Sequence, residues 1–340
     1  MEKVEVRGPA IFLGIAALLF LIWMASKALL LVFAGIVLAA AFSFLAAPIE
    51  RLTGLSGKHV KPVIYLAFLA AIGVVVGWGG SALVVQASEF ASHTDELLRS
   101  WNAELSDLGL GFMSQAGDMQ LSKVMPDLQS VFGDFRRMLS GFFGGLANFV
   151  IVLFLGIFLS WDPRTYLRGL LHLVPSQRRA RLREVVESAA ENLGWWMAGQ
   201  AISMSIIFAA SWLVLWLIGM PYNFLLALQA GLLAFIPTLG PAIAGVVIIL
   251  AGFSVSPTMA LWGLGAYVLI QALESNVTQP VVQQKTTSLP PALTLSTQLV
   301  FAAVLGGLGV ALAVPLLSVI IVFVRELYVK DALGDDGVEV

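Results

Sequence analysis

The side chains of this sequence that could do chemistry are few, and most are set into apolar surroundings. Gln200, Gln229, Gln271 and Gln298 lie within or at the margins of long apolar runs, and Glu274 closes one of them. A carboxylate in such a place is a candidate proton acceptor or cation partner. The alternative is an interfacial structural role, paired with Lys285. The glutamines suit hydrogen bonding between membrane helices. Near them, two apolar runs are interrupted by residues that stop helices. One interruption is Pro237, Gly240 and Pro241 within AFIPTLGPAIAG, 234–245; the other is Gly306, Gly307 and Gly309, with Pro315 further on. A helix broken in mid-membrane frees N–H and C=O groups, so it is tolerated only inside protein or beside water. The helix ends it leaves carry partial charges that can hold a polar or ionic solute. The candidate solute-binding residues are therefore Gln200, Pro237, Thr238, Gly240, Pro241, Glu274, Asn276, Gln279, Pro280, Gln283, Gly306, Gly307 and Gly309.

Other chemistries find little support. The chain has no cysteine, and His59, His93 and His172 all fall outside the apolar runs, so no metal or redox centre is expected. No serine with a histidine partner and no paired intramembrane aspartates point to an enzyme. No glycine-rich loop ending in Lys and Ser or Thr points to a nucleotide-driven pump. No cofactor is expected, and a formal charge of -2 carries no signal for nucleic acid.

The elements that must position these residues are membrane helices. Hydrophobic residues make up 59% of the 340 and charged ones 12%, against roughly a quarter charged in a soluble domain. Crossing a ~30 Å hydrocarbon layer takes about 20 helical residues. The apolar runs predict an all-α integral membrane protein of about eight segments. Spans fall at 10–26, 28–48, 63–87, 142–161, 195–218 and 257–273, the first two retained and joined by a tight turn near Ser26 and Lys27. Two longer segments, 223–253 and 292–324, exceed one straight crossing and fall short of two, so each is broken or re-entrant. The chain then divides into a three-span region (1–88), an extracytoplasmic segment (89–141), a fourth span with a basic cytoplasmic helix (142–194), a transport core (195–328) and an acidic cytoplasmic tail (329–340).

Orientation follows from Lys and Arg, which collect in cytoplasmic loops. Arg51, Lys58 and Lys61 follow the second span, and Arg164, Arg168, Arg178, Arg179, Arg181 and Arg183 lie in 162–194. Both termini are expected in the cytoplasm, in a multi-pass protein of the cell membrane. Between 89 and 140, Leu121, Val124, Leu128, Val131, Phe132, Phe135, Met138 and Leu139 form an apolar stripe at helical spacing. It suits a helix on the membrane or on a neighbouring subunit, or a ligand-binding cap. On the inner side, Ser176 is a candidate cap for a helix with Leu182, Val185, Val186 and Ala189 on one face, its arginines at anionic headgroups.

The C-terminal half reads as an internal repeat. A span and a broken segment (195–253) are followed by a second span and a second broken segment (257–324), and LGPAIAG from 239 is weakly like LGVALAV from 308. Paired breaks at corresponding positions are the sequence pointer to a transporter site; close packing by glycine and proline is the plainer explanation.

From about 160 to 325 the chain resembles the bacterial autoinducer-2 exporter family of membrane transporters. The likeness rests on WDP at 161 with Pro175 and Arg178, GQ at 199, GMPYNFLLALQAGLLAFIPTLGP at 219–241, ESNVTQPVVQQKTTSLPPALTL at 274–295 and GGLGVALAVPL at 306–316. Thr238 stands where an aromatic residue is more usual. The N-terminal half matches only in span pattern. The resemblance implies an inner-membrane transporter that is homo-oligomeric, with a pentamer as the candidate stoichiometry. It implies export of the signal autoinducer-2, or exchange of sodium or lithium for protons. The expected partners are thus a small polar solute or a monovalent cation, and membrane lipids. An exporter would use Thr238, Asn276, Gln279, Gln283 and exposed backbone; an antiporter would use Glu274. A non-transporting scaffold or receptor would use the breaks for packing alone.

Overall fold

The structure, a computed structural model, describes residues 23–74, 146–253, 255–278 and 290–335, with Ala16, Phe20, Leu21, Gly77 and Pro280 as isolated positions. The stripe expected in 89–140 lies outside the described residues. Within them the chain is all-helical, with no strand. This is what lipid demands, because a helix pairs its backbone groups internally. In order these are α1 (Ser26–Thr53), α2 (Gly57–Val74), α3 (Leu146–Trp161), α4 (Pro163–His172), α5 (Arg179–Leu217), α6 (Asn223–Leu233), α7 (Leu239–Phe253), α8 (Pro257–Leu273) and α9 (Pro291–Phe323). A 3₁₀ turn (Ser176–Arg178) precedes α5, and π-helical turns (Glu274–Thr278 and Val324–Lys330) follow α8 and α9.

Among the described residues, four helical stretches can by length and composition cross a membrane: Ser26–Thr53, Gly57–Val74, Ser176–Leu217 and Pro291–Lys330. Ala147–Trp161 makes a fifth if it is joined to Pro163–His172 across an 88° bend. Several expectations change. The turn expected near Ser26 and Lys27 falls one residue earlier, at Ala25 (φ -86°, ψ 0°), and Ser26 opens α1; Ala25 N–H still donates to Leu21 O at 2.8 Å and Leu29 N–H to Ala25 O at 2.9 Å. α2 begins at Gly57, six residues before the expected span. The basic cytoplasmic helix and the fifth span are one 39-residue helix, α5, about 58 Å long at ~1.5 Å per residue. Ser176 opens the 3₁₀ turn and caps nothing with its side chain. Val185 and Ala189 are buried, as that face predicted.

Between membrane helices there is little hydrophobic drive, so close packing decides the contacts. α1 and α3 cross through two glycines. A Cβ on Gly35 would lie 2.6 Å from Leu155 Cβ, and one on Gly156 2.9 Å from the Leu38 side chain. α2 is joined to α3 by polar groups buried together. Tyr65 Oη lies 2.8 Å from the Oγ of fully buried Ser160, and Lys61 Nζ donates to Ser160 O at 2.5 Å. At the end of α3 the chain turns into α4, where Asp162 accepts from Thr165 N–H (3.3 Å) and Thr165 Oγ1–H (2.5 Å). The hydroxyl of Thr165 holds the Asp162 carboxyl below the usual carboxylate range.

The start of α5 is tied to the end of the last helix. Arg181 Nη2 donates to Asp331 Oδ1 (2.9 Å) and Glu326 Oε2 (3.1 Å), and Lys330 Nζ reaches Glu326 Oε1 at 2.8 Å. Arg181 is therefore not one of the headgroup arginines expected there. Asp331, assigned to the tail, is part of its anchor.

The crossing of α1 and α3 yields a prediction. Gly35→Ala forces a methyl into Leu155 and should destabilise the protein by about 1–3 kcal/mol, read as a lower unfolding temperature in detergent. Gly73→Ala, where nothing among the described residues lies within 4 Å of the added Cβ, should leave that temperature unchanged or raise it slightly.

Candidate functional site

The first interruption separates α6 from α7 by five residues. α6 runs out at Leu233, with Ala234 N–H on Ala230 O, Phe235 N–H on Leu232 O and Ile236 N–H on Leu233 O, a tightening last turn. Pro237 has no N–H with which to continue the ladder. Thr238 then takes φ 70°, a left-handed backbone uncommon for a residue with a Cβ. α7 starts immediately after, and Gly240 is pressed against the carbonyl of Leu233, leaving no room for a side chain.

Two glutamines on other helices hold this turn. Gln200 of α5, 6% exposed, donates from Nε2 to Ala234 O. Gln298 of α9, fully buried, donates from Nε2 to Pro237 O at 2.9 Å. Gln200 supplies a donor to a carbonyl at the end of the interrupted ladder, and Gln298 adds a second bond to Pro237 O, which also accepts from Leu239 N–H at 2.8 Å. Elsewhere on these helices, and on Gln298 itself, polar atoms remain without partners. Gln298 Oε1, both amide atoms of Gln229 on α6 and Ser211 Oγ on α5 are buried and unbonded among the described residues. Each such group costs about 1–3 kcal/mol when left dry.

The second interruption is one residue wide. Gly306 has φ 67° and ψ -153°, a backbone open only to glycine, inside the otherwise helical α9. Three residues on, a Cβ on Gly309 would sit 2.5 Å from the carbonyl oxygen of Phe301. Both breaks thus have the same parts: one residue near φ +70°, then a glycine jammed onto a carbonyl seven or eight residues upstream. Those glycines, Gly240 and Gly309, are also the ones that coincide when LGPAIAG and LGVALAV are aligned. The breaks share surroundings too. Phe235 of the first and Leu305 beside the second pack on one cluster with Leu30, Val37, Leu193, Trp196, Leu312 and Val314.

The remaining candidates differ in burial and in their distance along the chain from this clasp. Pro237 is half-buried, Pro241 buried, and Thr238, Gly306 and Gly307 exposed. Glu274 is 6% exposed on the π-helical turn after α8, and Gln271 Nε2 donates to its Oε2 at 3.3 Å. No hydrogen bond among the described residues joins it to the glutamine clasp. Asn276 is exposed and spends its Nδ2 on Ala272 O at 2.7 Å, and Pro280 is exposed. Gln279, Gln283 and Lys285 lie outside the described residues. Gln298, read from sequence as glue between helices, does bond across to the first break, and Gln229 is buried where Asn276 is exposed. What marked them was their placement in apolar runs.

A model of the AI-2E family transporters matches residues 12–329. The chain belongs to the AI-2E transporter family. Two Bacillus subtilis (strain 168) proteins are similar at low identity. "Putative transport protein YueF" is 23% identical over 274 residues, 77% of this chain and 74% of the relative. "Putative transport protein YrrI" is 23% identical over 300 residues, 85% and 84% respectively. The family match reaches into the N-terminal half, where span pattern alone had carried the likeness. In this AI-2E family transporter, membrane transport is the activity to which the breaks and buried amides must be fitted.

The amides separate structural from solute-handling roles. Gln200→Leu strips Ala234 O of its donor and should cost about 1–3 kcal/mol of stability. Gln229→Leu replaces an unbonded amide with an apolar side chain of similar size, so the unfolding temperature should hold or rise while solute flux falls. A drop in unfolding temperature for Gln229→Leu would mean its amide is bonded in the working protein.

Proposed function

We propose that this AI-2E family transporter is a secondary carrier that exports a small neutral polar solute, of the kind autoinducer-2 represents, with the two helix breaks framing the solute. The observation that carries this reading is the set of buried amide atoms without a partner among the described residues, both of Gln229 on α6 and the Oε1 of Gln298, whose Nε2 holds the first break. They offer one donor group and two acceptors, a mixture that suits hydroxyl and carbonyl groups. A bare cation would want oxygens alone. The matched construction of the breaks supports an internal repeat, with one bundle moving against the other to open the site to each side in turn. It also supports counting α6–α7 and α9 as two broken segments within about eight. The carrier is placed in the bacterial inner membrane with both termini cytoplasmic, working as a homo-oligomer with a pentamer as the first stoichiometry to test.

Glu274 favours a second reading, sodium or lithium exchange for protons. It is a buried carboxylate, and Gln271 gives it only one long hydrogen bond among the described residues.

Reconstituted vesicles distinguish the two. Flux of autoinducer-2, sodium, lithium and protons is measured for the parent chain and for Glu274→Gln. Neutral-solute export predicts autoinducer-2 flux that largely survives the substitution. Cation-driven proton flux that Glu274→Gln abolishes would establish antiport instead. Absence of any flux in the parent would leave a scaffold. Because the chain has no cysteine, Lys285→Cys reports topology directly: labelling by a membrane-impermeant thiol reagent in right-side-out cells means that the two long segments are straight crossings, not re-entrant hairpins.

A further inference from the structure

α4 is poorly explained as a link between spans. It leaves α3 at 88°, so if α3 crosses the bilayer, α4 runs along its surface. Its outer side carries Tyr166, Leu170 and Leu173, exposed by 49%, 47% and 82%. Spacings of four and three residues put them on one stripe. Arg164 and Arg168 lie two residues either side of Tyr166, on the opposite face, while Leu171 turns inwards and is buried. The stripe continues an apolar surface, since the stacked rings of Phe154 and Phe158 are exposed on α3 above the bend, and Trp161 is exposed at the corner.

Beside that corner, the start of α2 and the end of α3 enclose a cleft lined by Gly57, Lys58, Lys61, Trp161 and Asp162. Its charges are unequally free. Asp162 is committed to Thr165, and Glu50 approaches from α1, close to where a Cβ on Gly57 would lie. Lys61 gives one N–H to Ser160 O and keeps two. Lys58 is exposed at the cleft, and no ion pair holds it among the described residues.

We infer that this corner is a docking site for an anionic phospholipid, with the headgroup phosphate in the cleft against Lys58 and Lys61 and the stripe of α4 seated at the acyl boundary. The occupant follows from continuity and charge. Exposed apolar side chains stand on both α3 and α4 at the bend, an aromatic pair (Trp161 and Tyr166) of the kind that prefers the interface is among them, and Lys58 and Lys61 bring positive charge to the same corner. A lysine near an anionic surface strengthens binding by about fivefold at ordinary salt.

The test uses the full chain, taking advantage of its lack of cysteine. Leu170→Cys and Arg164→Cys are each labelled with an environment-sensitive fluorophore and placed in nanodiscs of phosphatidylcholine alone or mixed with phosphatidylglycerol. Docking predicts that the Leu170 label is quenched by brominated acyl chains and shielded from aqueous iodide, with the Arg164 label showing the reverse. It also predicts retention of phosphatidylglycerol through delipidation, reduced about fivefold by Lys58→Gln and restored by Lys58→Arg. Equal iodide quenching at both positions would overturn the proposal. So would Leu170 shielding that persists in detergent and rises with protein concentration, which would assign the stripe to a second copy. Displacement of retained lipid by inorganic phosphate, with Lys58-dependent phosphate binding in detergent, would reassign the cleft to a free anion.

Discussion

Backbone hydrogen bonding in a medium without water governs this molecule. Every peptide group inside the bilayer needs a partner from the protein, and a helix supplies one at each residue. Where the ladder stops between Leu233 and Leu239, something else must supply it. Gln200 and Gln298 do so from two different helices. Their side chains are long enough to reach across a helix contact, and their amides donate without bringing a charge into hydrocarbon. The interruption is thus tolerated because α5 and α9 are already packed around it. Those same two helices are held again at their far ends, through Arg181 on one and Glu326 and Asp331 beyond the other.

Shape completes what hydrogen bonding begins. A chain that turns within five residues brings the new helix against the last carbonyls of the old one, and Gly240 fills that position because a Cβ would overlap Leu233. Gly309 meets Phe301 in the same way. The glycines therefore set how sharply each break can bend, and the residue near φ +70° sets where. Neither function needs lipid contact, which agrees with the burial of both glycines.

The sequence reveals some of this and hides the rest, for physical reasons. Class and breaks are legible because they are local: apolar runs report lipid, and Pro237, Gly240 and Gly306 report failed ladders. The end of α8 at Leu273 was readable from the charge that follows it. The limits of α5 were not, since a helix that leaves the membrane loses its apolar signal while its backbone continues. The clasp was not readable either. Gln200 and Pro237 sit 37 positions apart in sequence and Gln298 another 61 beyond Pro237, and only packing decides which carbonyl a glutamine meets. Arg181 was misplaced for the same reason: a basic run beside a membrane suggests headgroups, and its acidic partners lie near the other end of the chain.

The two breaks are built alike but held unequally, and the inequality bears on motion. The first is fixed by two amides from outside. At the second, no side-chain hydrogen bond among the described residues reaches positions 301–310, and Gly306 itself is exposed. On one side of Gly306, α9 is tied to the first break through Gln298. On the other, Leu312 and Val314 are packed into the cluster with Leu30, Val37, Leu193 and Trp196, and the helix ends in the Arg181 anchor. Rotation about Gly306 would break no side-chain hydrogen bond among the described residues at the pivot, but it would have to slide Leu305 and Leu312, which pack on one cluster from either side of it. At the first break, Gln200 and Gln298 hold the carbonyls of Ala234 and Pro237 just before Thr238, so its α6 side is tied to α5 and α9. Of the two interruptions, the glycine is the one that no side-chain hydrogen bond holds among the described residues, and the proline break is the one that two glutamines hold.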